Sequence, residues 1–182
     1  ADAGADDRAF DSIVAFGDHA AEPHHHLTDR ELARGDMVKL DFGARSDGYH
    51  SDITRTVAFG EPDRRLHEIR DVVAAAQRAG IEAVRPGAST IDVDAAARSV
   101  IVDAGHGDAF PHGLGHGVGL EIHEAPSLRW DGGEALIEGM VVTIEPGVYI
   151  PGLGGVRIED MVEVTADGRR EIPRSTRELI VL

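Results

Sequence analysis

The chain of 182 residues has no cysteine, which excludes disulfides and thiolate metal sites. It has no apolar run long enough to cross a bilayer, and no charged-then-apolar secretory leader opens it. These absences lead to the expectation of a cytoplasmic protein. Basic residues are few: 18 Lys and Arg stand against 33 Asp and Glu, for a formal charge of −15. Such a field repels nucleic acid and anionic membranes, so neither is expected as a partner. It chiefly describes a solvated acidic surface, and it also suits cationic ligands such as divalent metals. No solenoid-period repeat or low-complexity linker divides the sequence. The length and 42% apolar content suit one globular domain with a sizeable core.

Patterning predicts an α+β fold. After a short polar lead-in over 1–9, residues 10–16 read as a strand ended by Gly17-Asp18, and 20–31 as a polar loop carrying His24-His25-His26. Two further strands, 37–42 and 53–59, are joined by a loop whose Asp47-Gly48 is a strong hairpin signal. Leu66, Ile69, Val72, Val73 and Ala76 recur at helical spacing, predicting a helix over 63–84 that Arg85-Pro86-Gly87 stops. A second amphipathic helix is predicted over 89–104, closed by Gly105. Strands are then expected at 140–144, 156–164 and 179–182, with Gly152-Leu-Gly-Gly as a hairpin loop between the first two. Strands, two helices and strands again predict a mostly antiparallel sheet with helices packed on one face.

The most informative run is His112-Gly-Leu-Gly-His116-Gly-Val-Gly-Leu-Glu-Ile-His123-Glu. Imidazoles ligate metals and carry protons near neutral pH, and the glycines let backbone approach closely. Its weight comes from four carboxylates elsewhere. Asp41 and Asp52 flank the first hairpin, and their midpoint falls beside its turn. Glu145 and Glu159 repeat the arrangement around Gly152. The register decides whether each pair is directly opposed or diagonal. Acids among core-forming residues are costly unless their charge is compensated. Four carboxylates and one imidazole can hold two divalent cations, Mn²⁺ foremost, with Co²⁺, Fe²⁺ and Zn²⁺ also compatible.

Four segments carry a family resemblance: Leu-Asp41-Phe-Gly…Ser-Asp52-Ile-Thr-Arg-Thr, the histidine run, Thr-Ile-Glu145-Pro-Gly-Val-Tyr and Gly-Val-Arg-Ile-Glu159-Asp. In order and spacing they resemble the M24 metallopeptidase superfamily (creatinase/methionine aminopeptidase), which has the pita-bread fold. The resemblance implies that Asp41, Asp52, His116, Glu145 and Glu159 ligate two metals, with Asp52 and Glu159 shared or nearly shared. His112 and the Gly-Leu-Glu-Ile-His123-Glu-Ala-Pro stretch are similar to the X-prolyl branch, aminopeptidase P and prolidase. His24 matches a family histidine that contacts substrate, with His25 its rival by one position. Arg157 and Tyr149 match positions that shape the substrate site. Members of that branch carry a separate N-terminal domain and a first helix, and both are expected to lie outside this chain, whose catalytic domain would span 10–182.

The resemblance implies hydrolysis of the bond preceding a proline at the second position of a peptide. The cations would lower the pKa of a shared water, Glu145 would accept its proton, and His123 would help to stabilise the oxyanion. His112 would orient the substrate or relay a proton to the leaving nitrogen. Three other readings stand beside this one: a methionine aminopeptidase, a binding module of the same fold, and a catalytically silent fragment. A homodimer is a further expectation.

Overall fold

The computed structural model describes residues 4–172 and 175–182. The N-terminal half holds β1 (Asp7–Arg8), β2 (Ile13–Phe16), β3 (Asp36–Phe42), β4 (Ala44–Ser46), β5 (Tyr49–His50) and β6 (Ile53–Phe59), followed by α1 (Arg64–Ala83) and α2 (Thr90–Asp103). The C-terminal half holds β7 (Gly115–Gly117), β8 (Glu124–Leu128), β9 (Val141–Ile144), β10 (Gly147–Ile150), β11 (Gly154–Arg157), β12 (Asp160–Thr165) and β13 (Gly168–Glu171). The order is the expected α+β one.

Both helices begin on side-chain caps: Asp63 accepts from the Arg65 amide at 2.7 Å and Ser89 from the Ile91 amide at 3.3 Å. Leu66, Ile69, Val73, Ala76 and Gly80 form the buried stripe of α1. It packs with α2 into one core that includes Leu114, Leu128, Val142, Ile144, Val148 and Val156 from the β half. Each such side chain removed from water contributes about 1.5–3 kcal/mol.

One sheet has the order β2-β3-β6 and a second the order β13-β12-β9-β7-β8, with β10 and β11 as a hairpin between β9 and β12. Within these sheets and that hairpin the named strands pair antiparallel. The β3–β6 hairpin forms as predicted. Asp47 and Gly48 take φ values of 51° and 84° at its tip, the left-handed pair that a two-residue turn requires. That tip is a small sheet of its own, in which β4 pairs with both β5 and β1.

Several expected boundaries move. The strand expected over 10–16 starts at Ile13, because its partner β3 ends near Asp41, and Phe10 lines a cavity instead. The lead-in carries β1. Residues 17–21, from the predicted strand end at Gly17-Asp18 into the start of the polar stretch, close into a 3-10 turn. The strand expected over 156–164 is two strands, broken at Ile158-Glu159. At the C-terminus a full strand is replaced by one parallel bridge, Val181 to Ala58, with the Ile180 carbonyl accepting from the Ala58 amide at 2.8 Å. The Leu182 amide donates back to the Ala58 carbonyl at 2.8 Å and the Leu182 carbonyl accepts from the Gly60 amide at 2.9 Å, so the last residues follow the edge of β6. β7 and β8 arise in the histidine run and after it, where glycine and proline give no strand signal.

Candidate metal centre

Register fixes how the acids meet. Asp41 pairs with Thr54 across β3–β6, so Asp52, two residues before Thr54, is its diagonal neighbour on the same face. In the second hairpin Ile144 pairs with Asp160 and Gly147 with Arg157. These pairs keep one register, so Glu145 and Glu159 stand opposite each other in the gap between them. The ladder opens there. The Glu145 amide donates to the Leu114 carbonyl at 2.8 Å, and the Glu159 amide to the Thr54 carbonyl at 3.1 Å. Thr56 Oγ1 continues the link, donating to the Arg157 carbonyl at 2.9 Å and accepting from its amide at 3.2 Å. The break thus joins the second hairpin to β6 on one side and to the histidine run on the other.

The histidine run is held by α2. Arg98 donates to the carbonyls of Phe110 and His112 at 3.0 and 2.7 Å, and Asp94 accepts from the Leu114 amide at 3.0 Å. Gly115 must be glycine, since a Cβ there would lie 1.9 Å from the Thr143 carbonyl oxygen. That approach aims His116 at the acids. Its Nδ1 donates to the Gly117 carbonyl at 2.9 Å, so Nε2 is the nitrogen turned toward the acids. Burial opposes protonation of the ring, but the hydrogen bond and charge of Glu145 raise its pKa. Nε2 lies 3.2 Å from Glu145 Oε1 and 3.7 Å from Asp52 Oδ2. Asp52, His116 and Glu159 each offer a ligand atom, all within 4.8 Å of one another.

A cavity of about 310 Å³ contains nine of the ten predicted site residues: His24, Asp41, Asp52, His112, His116, His123, Glu145, Arg157 and Glu159. Tyr149, the tenth, is buried behind it. The Tyr149 hydroxyl donates to His112 Nε2 at 2.9 Å and accepts from Arg157 Nη1 at 3.1 Å, while His112 Nδ1 bonds the Gly113 carbonyl at 2.8 Å. His123 stands edge-on to His116 at 4.4 Å between ring centroids. The two loop histidines occupy different positions. His24 lines the cavity, whereas His25 bonds Glu22 Oε2 at 2.7 Å and stacks on His19.

Arg157 is the internal counter-ion. It donates to Asp41 Oδ2, and its Nε donates at 3.0 Å to Thr54 Oγ1, which donates in turn to Glu159 Oε2 at 2.6 Å. One guanidinium does not neutralise four acids. Asp41 Oδ1 and Glu159 Oε1 are buried and receive no hydrogen bond. Burial, reinforced by Asp41 and Glu145, lifts Asp52 to about 7. Burial likewise raises Glu159 well above the usual carboxylate range, with Glu145 and Asp52 adding to it. Burial also raises Asp41, against the pull of Arg157. Glu145 moves the other way: burial opposes its ionisation, but the hydrogen bond and charge of His116 hold it down. Unmatched buried oxygens, clustered acids of raised pKa and an imidazole nitrogen turned toward them are a donor set that a pair of divalent cations fits.

Patterning did not single out Thr54 and Thr143, whose hydroxyls orient Glu159 and, at 3.1 Å, Glu145. Arg129, Phe10, Ile13 and Ile122 on the cavity wall were also missed. The threonines flank ligands in sequence, which is a usable signal. The wall residues come from two regions far apart in the chain, 10–13 and 122–129, and carry none.

The fold is the pita-bread architecture, and its acid–histidine cluster is a candidate metal centre. The chain belongs to metallopeptidase family M24, whose model matches residues 1–166. It is 48% identical to the Xaa-Pro dipeptidase of Pyrococcus furiosus over 177 residues, covering 97% of this chain and 51% of that protein. Among solved structures, the Xaa-Pro dipeptidase from Bacillus anthracis superposes with a TM-score of 0.97 at 48% identity, covering all of this chain and 51% of the other. The X-Pro aminopeptidase from Thermotoga maritima gives 0.95 at 38%, covering 98% and 50%. The chain therefore spans about half the length of these relatives.

Proposed function

We propose that this chain is the catalytic domain, over 10–182, of a peptidase that hydrolyses the bond between an N-terminal residue and proline. The observation that carries the reading is the Glu145–Glu159 pair opposed across the opened ladder, with His116 Nε2 beside it. Asp41, Asp52, His116, Glu145 and Glu159 hold two divalent cations, Mn²⁺ foremost. When bound, the cations supply Lewis-acid polarisation of the scissile carbonyl and acidify water at the site.

The protein's own groups do the rest. Glu145, kept ionised beside His116, accepts the proton of the attacking water. Burial and the nearby His116 lower the pKa of His123, so a neutral ring donates an N–H to the carbonyl oxygen as charge develops there. Both nitrogens of His112 are engaged, by Gly113 and Tyr149, which favours the orienting role over proton relay. His24 and Arg157 line the substrate side, with Tyr149 bracing Arg157 and His112 from behind. Arg129, at the cavity wall, suits the carboxylate of a short substrate. No helix among the described residues is long and apolar enough to cross a membrane, in keeping with a cytoplasmic enzyme. A homodimer is part of the same proposal.

The test is one assay on metal-reconstituted protein with an Xaa-Pro dipeptide, an Xaa-Pro-Yaa tripeptide and Met-Ala-Ser. Cleavage of the prolyl substrates is expected. Cleavage of the methionyl peptide alone would overturn the assignment in favour of a methionine aminopeptidase. No cleavage with two metals bound would make this half-length chain a silent fragment or a binding module.

A further inference from the structure

Lys39 lies in the middle of β3, paired with Ala15 on one side and Thr56 on the other. Its side chain is fully buried. A buried ammonium is ordinarily matched by a carboxylate, yet Lys39 forms no ion pair among the described residues. Its Nζ instead donates to the carbonyls of Ala20, Glu22 and Pro23 at 3.4, 2.5 and 3.3 Å. The ammonium also stands 5.1 Å from the centre of the Tyr149 ring. Arg157 Nη1 reaches the same Pro23 carbonyl at 3.3 Å, so two buried basic side chains converge as donors on the peptide that precedes His24.

The segment they grip has little order of its own. After the 3-10 turn at Gly17–Ala21 it pairs with no strand before β3 begins at Asp36. An apolar residue at position 39 would satisfy the strand and the core more cheaply than a desolvated amine. What an apolar residue would not supply is three donors aimed at one stretch of backbone.

We propose that Lys39 is a positioning residue: it fastens the backbone of 20–23 and thereby holds His24 in the cavity above the metal centre. This rests on the reading of His24 as a substrate contact, but the fastening is measurable without it. The experiment uses Lys39→Met, of similar length and without donors, together with His24→Ala and the double variant, all in the full chain. Hydrogen exchange of peptides spanning 17–28 is expected to speed up at least about tenfold in Lys39→Met, with other segments and the binding of two Mn²⁺ per chain unchanged. Displacing a contact by about 1 Å costs on the order of 10- to 100-fold, so kcat/KM on an Xaa-Pro dipeptide should fall by that factor. The double variant should be no worse than His24→Ala alone.

Unchanged exchange at 17–28 would overturn the proposal, as would additive losses in the double variant. Lys39→Gln, which keeps one donor on a shorter stem, should fall between wild type and Lys39→Met in exchange; indistinguishable behaviour from wild type would count against it. If the wild-type chain cleaves no prolyl substrate, the functional reading fails and the exchange comparison still decides the role of Lys39.

Discussion

Replacing Glu159 by Gln should stabilise the metal-free protein and destabilise it relative to wild type once metal is present. Glu159 Oε1 is buried with no donor, and Glu145, Asp52 and Asp41 all oppose its ionisation. An orphaned buried polar atom costs about 1–3 kcal/mol. Gln keeps an acceptor for the Thr54 hydroxyl and turns an amide donor toward the remaining carboxylates. For a chain of this size each kcal/mol moves the melting temperature by about 2–4 °C, so the metal-free variant should melt several degrees above wild type at pH 7. The gap must close in acid. A folded-state pKa raised above the ordinary 4.5 lowers wild-type stability by about 1.36 kcal/mol per pH unit between the unfolded and folded values. That slope is absent from the variant, so the two should converge toward pH 4.5. With Mn²⁺ at a hundredfold over its Kd, wild type gains about 2.7 kcal/mol per site, and the variant should gain little. Thermal melts followed by circular dichroism, in chelator and then in Mn²⁺, read all three effects. The reasoning is refuted if the variant melts below wild type in chelator, or if it responds equally to metal.

Two further outcomes follow from the same geometry. His116→Ala should fail to load metal, measured by elemental analysis after gel filtration, whereas His123→Ala should keep both ions and lose about 10²–10³ in kcat, the usual cost of an oxyanion donor. Gly115→Ala drives a Cβ to 1.9 Å from the Thr143 carbonyl oxygen and should cost about 1–3 kcal/mol or more in urea unfolding; Gly168→Ala, with nothing within 4 Å, should stay within about 0.5 kcal/mol.

The helices were legible because apolar stripe and terminator agree: the Leu66–Ala76 repeat and Arg85-Pro86-Gly87 point to one span, to which the structure adds the Asp63 cap. The first hairpin was legible from Asp47-Gly48. The acids were legible as a set because both pairs straddle turns, although their alignment, one diagonal and one opposed, depends on registers that no local pattern encodes. The break at Ile158-Glu159 was hidden because the sequence from Val156 to Val164 reads as one β-prone run; only the competing bonds to Thr54 and Leu114 open it. β7 and β8 were hidden for the opposite reason, since close backbone approach excludes the bulky residues that usually mark a strand. Lys39 breaks the apolar pattern of β3 and reads locally as a surface position. Its partners lie 16–19 residues earlier in the chain, so only tertiary structure reveals its burial.

The opened ladder at Glu145 and Glu159 makes the proposed metal centre a seam. Each of these two acids is tied by its own amide to a different neighbour, one to the histidine run and one to β6. Cations gripping both carboxylates would therefore rivet three strand systems at one point. Chelation should be felt first as loosened amides along Thr54, Leu114 and the second hairpin, well before the helices report any change. In such a design the catalytic inventory and the mechanical joint are the same atoms, and a substitution that spoils one is bound to slacken the other.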